Sequence, residues 1–215
     1  MIQTSRSTPT AYRLSFTAAS LRPELARISA EAYLTFGNWD RARQHVLDIN
    51  AFQSRTKSAL LRMEREIRQR LECLTQDQLS LLAKGTADER VAITWLSIIK
   101  QAALVREFTI DILRGKLDAF DPMLRHSDYD NFISARLSLH PELAELKENS
   151  RVKIHRVMLL MLTEAGLLHG VKQERRIVRP VLTQRVIDRI VSDNAQLLAG
   201  FLWTDEEIAV IRSRA

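Results

Sequence analysis

Helix-start signals recur along the chain and constrain its fold more than any other feature of the sequence. A capping box pairs a Ser or Thr at a helix start with an acid or amide three residues later, and each side chain satisfies a backbone N–H of the other. Three such boxes are present: Thr75 with Gln78, Thr86 with Glu89, and Thr204 with Glu207. Only 6 glycines and 5 prolines occur in 215 residues, too few for the turns of a β-sandwich or barrel. We therefore predict a mainly α-helical protein and exclude collagen-like, disulfide-rich and wholly disordered chains.

The first half of the chain predicts a succession of amphipathic helices. Gly37 ends the first of them, and Asn38 caps a second helix, Trp39–Ile49. A long third helix begins at Ser54, because apolar residues recur there at three- and four-residue steps, namely Leu60, Met63, Ile67, Leu71 and Leu74. The segment 86–117 is largely apolar, and we expect it to form the central core.

The second half begins after a break at Asp121–Pro122. The elements predicted beyond it are helices at 127–138, from Pro141, and at 150–165, a hairpin within 167–182, and helices at 183–192 and 204–212. We predict a flexible lead-in at 1–11, an N-terminal helical lobe at 12–122 and a C-terminal winged-helix-like lobe at 123–215, the two lobes abutting.

The balance of charge favours a polyanionic partner. The chain has 32 Lys and Arg against 26 Asp and Glu, a formal net charge of +6, which suits nucleic acid or an anionic surface. The single cysteine, Cys73, excludes an internal disulfide and a cysteine-based zinc site. The longest uncharged runs in the helical region, Val91–Ile99 and Ala195–Thr204, are about half of the ~20 residues of a membrane span. We expect a cytoplasmic protein with no membrane segment.

The order helix, short helix, longer helix, hairpin in 127–181 is that of a winged helix-turn-helix, whose third helix enters the major groove of DNA. On the 150–165 helix, the predicted buried stripe is Ile154, Val157, Met158, Met161 and Ala165, with Leu159 and Leu160 also expected to be buried. Asn149, Lys153 and Arg156 fall on the opposite face, and we select them for base-edge contacts. The hairpin adds four cations as candidate phosphate contacts: Lys172, Arg175, Arg176 and Arg179. The alternative interpretation is a solvated basic surface, or a protein-binding module on the same fold.

A second basic face lies on the long helix of the N-terminal lobe. Arg55, Arg62 and Arg65 lie opposite its apolar stripe, and with the preceding helix they resemble a helix-turn-helix pair. We select these three arginines as further phosphate contacts. The alternative is a solvated face with exposed pairs such as Arg62–Glu66 or Arg68–Glu72, each worth only about 0.3–0.5 kcal/mol.

Signals for catalysis are scarce. The sequence has no Walker loop, GxGxxG, GxSxG or HExxH motif. Its five histidines, at 45, 126, 140, 155 and 169, have no helical i,i+3 or i,i+4 spacing among themselves. We therefore predict a protein that is not an enzyme, with no metal site and no cofactor.

Three stretches together resemble the BrxA family of bacterial BREX (bacteriophage exclusion) defence loci. They are GNWDRARQHVLDINAFQSRTKSALLRMEREIRQRL at 37–71, DERVAITWLSIIKQAALVREFTIDILRGKL at 88–117, and HPELAELKENSRVKIHRVMLLMLTEAGLL at 140–168. The resemblance extends from about 12 to about 198 and depends on apolar and basic positions. It implies a non-enzymatic, helix-rich, DNA-binding component of an anti-phage system, and it supplies no set of functional residues. Family members have been labelled inner-membrane proteins, which the short uncharged runs of this chain contradict.

The function that we predict is duplex DNA binding, mainly through phosphates and with weak sequence specificity. One alternative is a scaffold that docks other BREX proteins through its basic faces. Another is RNA binding in an antiterminator-like helical fold, which the shortage of candidate exposed aromatic residues disfavours.

Overall fold

The computed structural model describes residues 11–170 and 174–213 and confirms a mainly α-helical protein with a small β-sheet. In chain order the α-helices are α1 (Pro23–Phe36), α2 (Trp39–Asp48), α3 (Lys57–Leu71), α4 (Gln76–Lys84), α5 (Ala87–Gln101), α6 (Ala103–Glu107), α7 (Gly115–Asp118), α8 (His126–Arg136), α9 (Pro141–Ala144), α10 (Glu148–Glu164), α11 (Gln184–Asn194) and α12 (Asp205–Arg212). A π-helical segment, Phe108–Arg114, joins α6 to α7, and 3₁₀ helices lie at Ser15–Ala18 and Ala195–Phe201. The lead-in predicted at 1–11 lies, apart from Ala11, outside the described residues.

All three predicted capping boxes are present, at the starts of α4, α5 and α12. The Asn38 side chain caps α2 by accepting from the N–H groups of Asp40 and Arg41. Elsewhere the boundaries move by two or three residues: α3 is capped by Thr56 rather than begun at Ser54, and α10 begins at Glu148. Capping boxes locate a helix start well because both of their bonds are local.

The first five helices pack around the predicted stripe of α3. Helices α1, α2 and α3 contact one another, and α5 lies against α1, α3 and α4. Leu60, Ile67, Leu71 and Leu74 are buried, and Met63 is half-buried against the same core.

The apolar segment 86–117 forms the centre of the core, as predicted. Ile93, Leu96 and Ile98 of α5 are completely inaccessible to solvent. The chain then bends at Ala102, which has φ −100° and ψ 90° and therefore leaves the helical region. Beyond it, α6, the π-helical segment and α7 form one uninterrupted helical stretch. The sequence pattern predicted neither the bend nor the wider turns of the π-helix.

The predicted hairpin is part of a three-stranded antiparallel sheet. Strand β2 (Leu168–His169) pairs with β3 (Arg175–Ile177), and β1 (Met123–Leu124) pairs with the other edge of β3, giving the order β1-β3-β2. The prediction of one two-stranded hairpin is therefore corrected by the third strand, which is too short to leave an alternating pattern in the sequence. Gly170 follows β2 with φ +90°, and a Cβ atom there would lie 2.1 Å from the carbonyl oxygen of Glu174. Only glycine fits this turn.

The last helices return to the first half of the molecule. Helix α11 contacts α4 and α5, and the 195–201 segment packs on α5. There the indole Nε1 of Trp95 donates to the carbonyl oxygen of Gly200 at 2.8 Å. A Cβ atom on Gly200 would lie 2.4 Å from Cδ1 of Ile99, so the two backbones approach as closely as the missing side chain allows. One hydrophobic cluster extends from Tyr12 to Ile208, and the division at 122/123 stays a prediction. No helix among the described residues has the length and apolarity to cross a bilayer.

Candidate nucleic-acid interface

Helix α10 has the two faces that its sequence predicts. The predicted stripe is buried throughout: Ile154, Val157, Met158, Met161 and Ala165. Leu159 is buried as well, but the expectation for Leu160 is wrong, since 45% of that residue is exposed. Leu160 lies four residues after Arg156 and therefore on the same, outward side of the helix.

The opposite face presents the side chains selected for base contacts. Asn149, Lys153 and Arg156 are all exposed, at spacings of four and three residues that place them in one row. Within the described part of the chain, neither Lys153 nor Arg156 has a carboxylate within ion-pair distance. A cation that already binds a neighbouring carboxylate must give up that contact to bind an anion, so these two are available.

The arginines of the hairpin have different environments. Arg176 is exposed in the central strand β3, and Arg175, the preceding residue, is half-buried. Arg179 is held within the molecule: its Nη1 donates to both carboxylate oxygens of Glu207, at 2.7 and 2.8 Å, and its guanidinium lies 4.6 Å from the ring centroid of Trp203. Arg179 therefore links the hairpin to α12. Lys172 lies outside the described residues.

The basic face of α3 is exposed, but one of its suggested ion pairs does not form. Arg55, Arg62 and Arg65 are exposed. The Arg68–Glu72 pair is present at 2.5 Å. Arg62 does not pair with Glu66, because Glu66 is buried and accepts from Arg70 at 3.0 Å.

A buried cation on α3 was missed by the sequence analysis. Arg70 is only 1% exposed and donates to the carbonyl oxygens of Phe16, Ala19 and Ser20 at 2.8–3.0 Å, besides its bond to Glu66. Burial lowers the pKa of this guanidinium, and the nearby carboxylate opposes the shift. Arg70 lies three residues after Ile67, on the apolar stripe, and that position was the available signal. Its role is to fasten the segment before α1 to α3.

Three aromatic rings from α8 and α10 form a stack beside the recognition face. Tyr129 lies 4.0 Å from His155 at an interplanar angle of 14°, and His155 lies 5.0 Å from His126 at 3°. Burial lowers the pKa of His155 to about 4, assisted by the positive charges of His126 and Arg175. The two histidines come from different helices, so their sequence spacing contained no sign of this stack.

Two cavities adjoin the ring stack. One, of about 310 Å³, is lined by apolar residues of α8 and α10 together with Asp130 and Glu148. The other, of about 670 Å³, is lined by Arg125, Arg156 and Arg175. Among the described residues no three His, Cys, Asp or Glu side chains are grouped closely enough to hold a metal ion.

Solved structures and curated relatives resemble the whole arrangement. The crystal structure of an uncharacterized protein from Magnetospirillum magneticum matches with a TM-score of 0.79 at 19% identity, over 90% of this chain and 98% of that one, which shows a shared fold. The BREX protein BrxA of Escherichia coli O9:H4 (strain HS) is 24% identical over 169 residues, covering 77% of this chain and 78% of the relative. The BREX protein BrxA of Bacillus cereus (strain H3081.97) is 25% identical over 148 residues, covering 69% and 74%.

The family model described as BrxA matches residues 10–194, nearly the whole span over which the sequence resembled that family. The chain belongs to the BrxA family.

Proposed function

We propose that the chain is a non-enzymatic component of a BREX phage-defence system that binds duplex DNA, mainly through phosphates and with weak sequence specificity. Its relatives in Escherichia coli and Bacillus cereus are named BREX proteins, which supports the defence role. Because the proposed ligand is DNA, we place its action in the cytoplasm, with other BREX proteins as further partners.

The observation that carries the proposal is the outward face of α10. Lys153 and Arg156 project from the first half of a helix whose opposite face is in the core, and the described structure leaves both without a carboxylate partner. The sheet order β1-β3-β2 places the exposed Arg176 on the central strand, next in the chain to Arg175, which lines a cavity together with Arg156. A helix followed by a small sheet with basic residues is the arrangement by which winged helix-turn-helix proteins reach a groove and the adjoining backbone.

The second basic face supports contact with phosphate rather than base readout. Arg62 and Arg65 are three residues apart on the exposed side of α3, and Arg55 lies just before that helix. Long, mobile side chains of this kind neutralise phosphates and release counterions whatever the base sequence. Only Asn149, Lys153 and Arg156 are placed to reach base edges, so we expect weak specificity.

The test is a fluorescence-anisotropy titration of one arbitrary duplex at several salt concentrations. For the double variant Lys153→Gln/Arg156→Gln we expect weaker binding and a plot of log affinity against log salt that is shallower by about two, one unit for each lost phosphate contact. The matched control is Arg189→Gln/Arg212→Gln, which removes the same charge from exposed positions on α11 and α12. We expect the control to bind as the wild type does.

Equal losses in the two double variants would show that net charge drives binding and would overturn the assignment of α10. A further pair, Arg62→Gln/Arg65→Gln, tests whether the α3 face touches the same duplex. If it does, its loss of affinity multiplies with that of the α10 variant.

One observation favours the scaffold function as a second candidate. Val152 and Leu160 of α10 are 57% and 45% exposed, and apolar side chains on an outward helix face suit a protein partner. Absence of duplex binding by the wild type at low salt would leave this function in first place.

A further inference from the structure

The larger cavity beside the ring stack combines two kinds of group that act together on few classes of ligand. Its walls come from α8, α10, β3 and the turn after β1. Three of its lining residues are arginines, Arg125, Arg156 and Arg175, and none of its described lining residues is an Asp or Glu. His126, Tyr129 and His155 line the same cavity with their parallel rings.

The positive side of the cavity suits a phosphate group. Arg156 is exposed and has no ion-pair partner in the described structure. Arg175 is close enough for its charge to act on His155. Arg125 binds Asp121 at 2.5 Å, yet 56% of its side chain remains exposed. The cavity also lies at the N-terminus of α8, an 11-residue helix whose dipole favours an anion at this end.

The ring stack ends in a surface on which another ring can lie. His126 has 72% of its side chain exposed, although one face of its ring is turned to His155. A planar aromatic base placed on the open face would extend the stack Tyr129–His155–His126 by one member. Stacking of a base on an aromatic side chain is favourable and tolerates any base identity, since every base has a π-face.

The charges around the stack also orient such a ligand. The carboxylates of Asp130 and Glu148 line the smaller cavity, on the other side of the shared residues His126, Tyr129 and His155. A phosphate is repelled from that side and attracted to the side of Arg156. A volume of about 670 Å³ is within the usual range of about 300–1,000 Å³ for ligand sites.

We infer that this cavity binds a nucleotide, with the base stacked on His126 and the phosphate held by Arg156 and Arg175. The nucleotide comes either from a free mononucleotide or from an unpaired position of a nucleic acid strand. This site is separate from the duplex-binding face, although Arg156 borders both.

The test is isothermal titration calorimetry of the full chain with AMP, with inorganic phosphate and with a ten-nucleotide oligo(dT). The variant His126→Ala removes the terminal ring and none of the arginines, and its exposed position leaves the fold intact. We expect it to weaken AMP binding by about tenfold or more, the scale of one base stacked on an aromatic side chain, and to leave phosphate binding unchanged. His169→Ala, at an exposed position in β2, is the matched control and should bind as the wild type does.

The two sources give different results. AMP binding that depends on His126 identifies a free nucleotide, whereas binding of the oligonucleotide alone, again dependent on His126, identifies an unpaired nucleotide of a strand. Failure of both ligands to bind at millimolar concentration, or binding of both that ignores His126→Ala, would overturn the inference. Duplex binding measured on the same variant keeps the two proposals apart, since we expect His126→Ala to leave it unchanged.

Discussion

His155 shows how much the surroundings of one residue decide. It is packed between Tyr129 and His126, and Arg175 and Asp130 also act on its charge, the former lowering its pKa and the latter raising it. Burial is the largest cause, and the pKa falls from the ordinary 6.5 to about 4. The imidazole is therefore neutral in the folded protein over the whole range in which an unfolded histidine takes up a proton.

This shift predicts a loss of stability in mild acid. As the pH falls from about 6.5 towards 4, the unfolded chain binds a proton at His155 and the folded chain does not, so unfolding becomes more favourable. The contribution is fully present above 6.5 and is lost as the pH falls towards 4. Urea midpoints at pH 7 and pH 5 should therefore differ less in His155→Phe, which keeps a ring in the stack, than in the wild type. The exposed His169→Phe is the control, and an identical pH dependence in all three proteins would contradict the assignment.

Single residues also mark the limit of the sequence analysis. Exposure of Asn149, Lys153 and Arg156 followed from helical spacing, because spacing alone fixes the face on which a side chain lies. The ion pair of Arg179 with Glu207 did not, because the two residues are brought together by packing of α12 and not by any local rule.

At the scale of elements, the start of α5 is tied to the start of α11 through one buried carboxylate. Glu89 is 2% exposed and returns the capping bond of Thr86 at 2.9 Å. It also accepts from the hydroxyl of Thr183, which caps α11, at 3.1 Å, and from Arg185 at 3.2–3.3 Å. The sequence predicted the box, whose bonds span three residues, but not the bonds that cross to α11.

We expect Glu89→Ala to destabilise the protein by about 2–3 kcal/mol, because it removes a charged acceptor that three buried or half-buried donors share. Glu207→Ala is the matched control, since Glu207 has the same place in the box of α12 but a side chain 41% exposed. For that variant we expect about 1 kcal/mol, the usual value of a cap together with an exposed ion pair. Urea unfolding followed by circular dichroism measures both, and equal losses would show that burial of Glu89 is unimportant.

At the scale of the whole molecule, the halves of the chain share one interior. The hydrophobic cluster includes residues on both sides of the predicted 122/123 division, and Trp95 of α5 is bonded to Gly200 near the C-terminal end. The ring of Tyr12 stacks on His140 at 3.7 Å, a further contact between distant parts of the sequence. Sequence periodicity indicates which face of each helix is buried, but not which other helix covers it, and for that reason these contacts were not predicted.

A shared interior predicts one cooperative unfolding transition. Far-UV circular dichroism reports all of the helices, and tryptophan fluorescence reports chiefly the surroundings of the buried Trp95. We expect their urea midpoints to coincide, as they do for chains that unfold as a unit. Two separated transitions would instead show that 12–122 and 123–215 fold independently.

The π-helical segment makes one stretch of the chain unusually sensitive to its length. Removal of a single residue from Phe108–Arg114 would let this stretch close into an ordinary α-helix and rotate everything beyond it by about 100°. Lys116 would then turn away from Asp121 and Asp128, which it binds at 2.7 and 3.2 Å, and the strand that follows would no longer meet β3. In this segment, unlike in a surface loop, the number of residues is itself under selection, and related chains that differ in length should differ elsewhere.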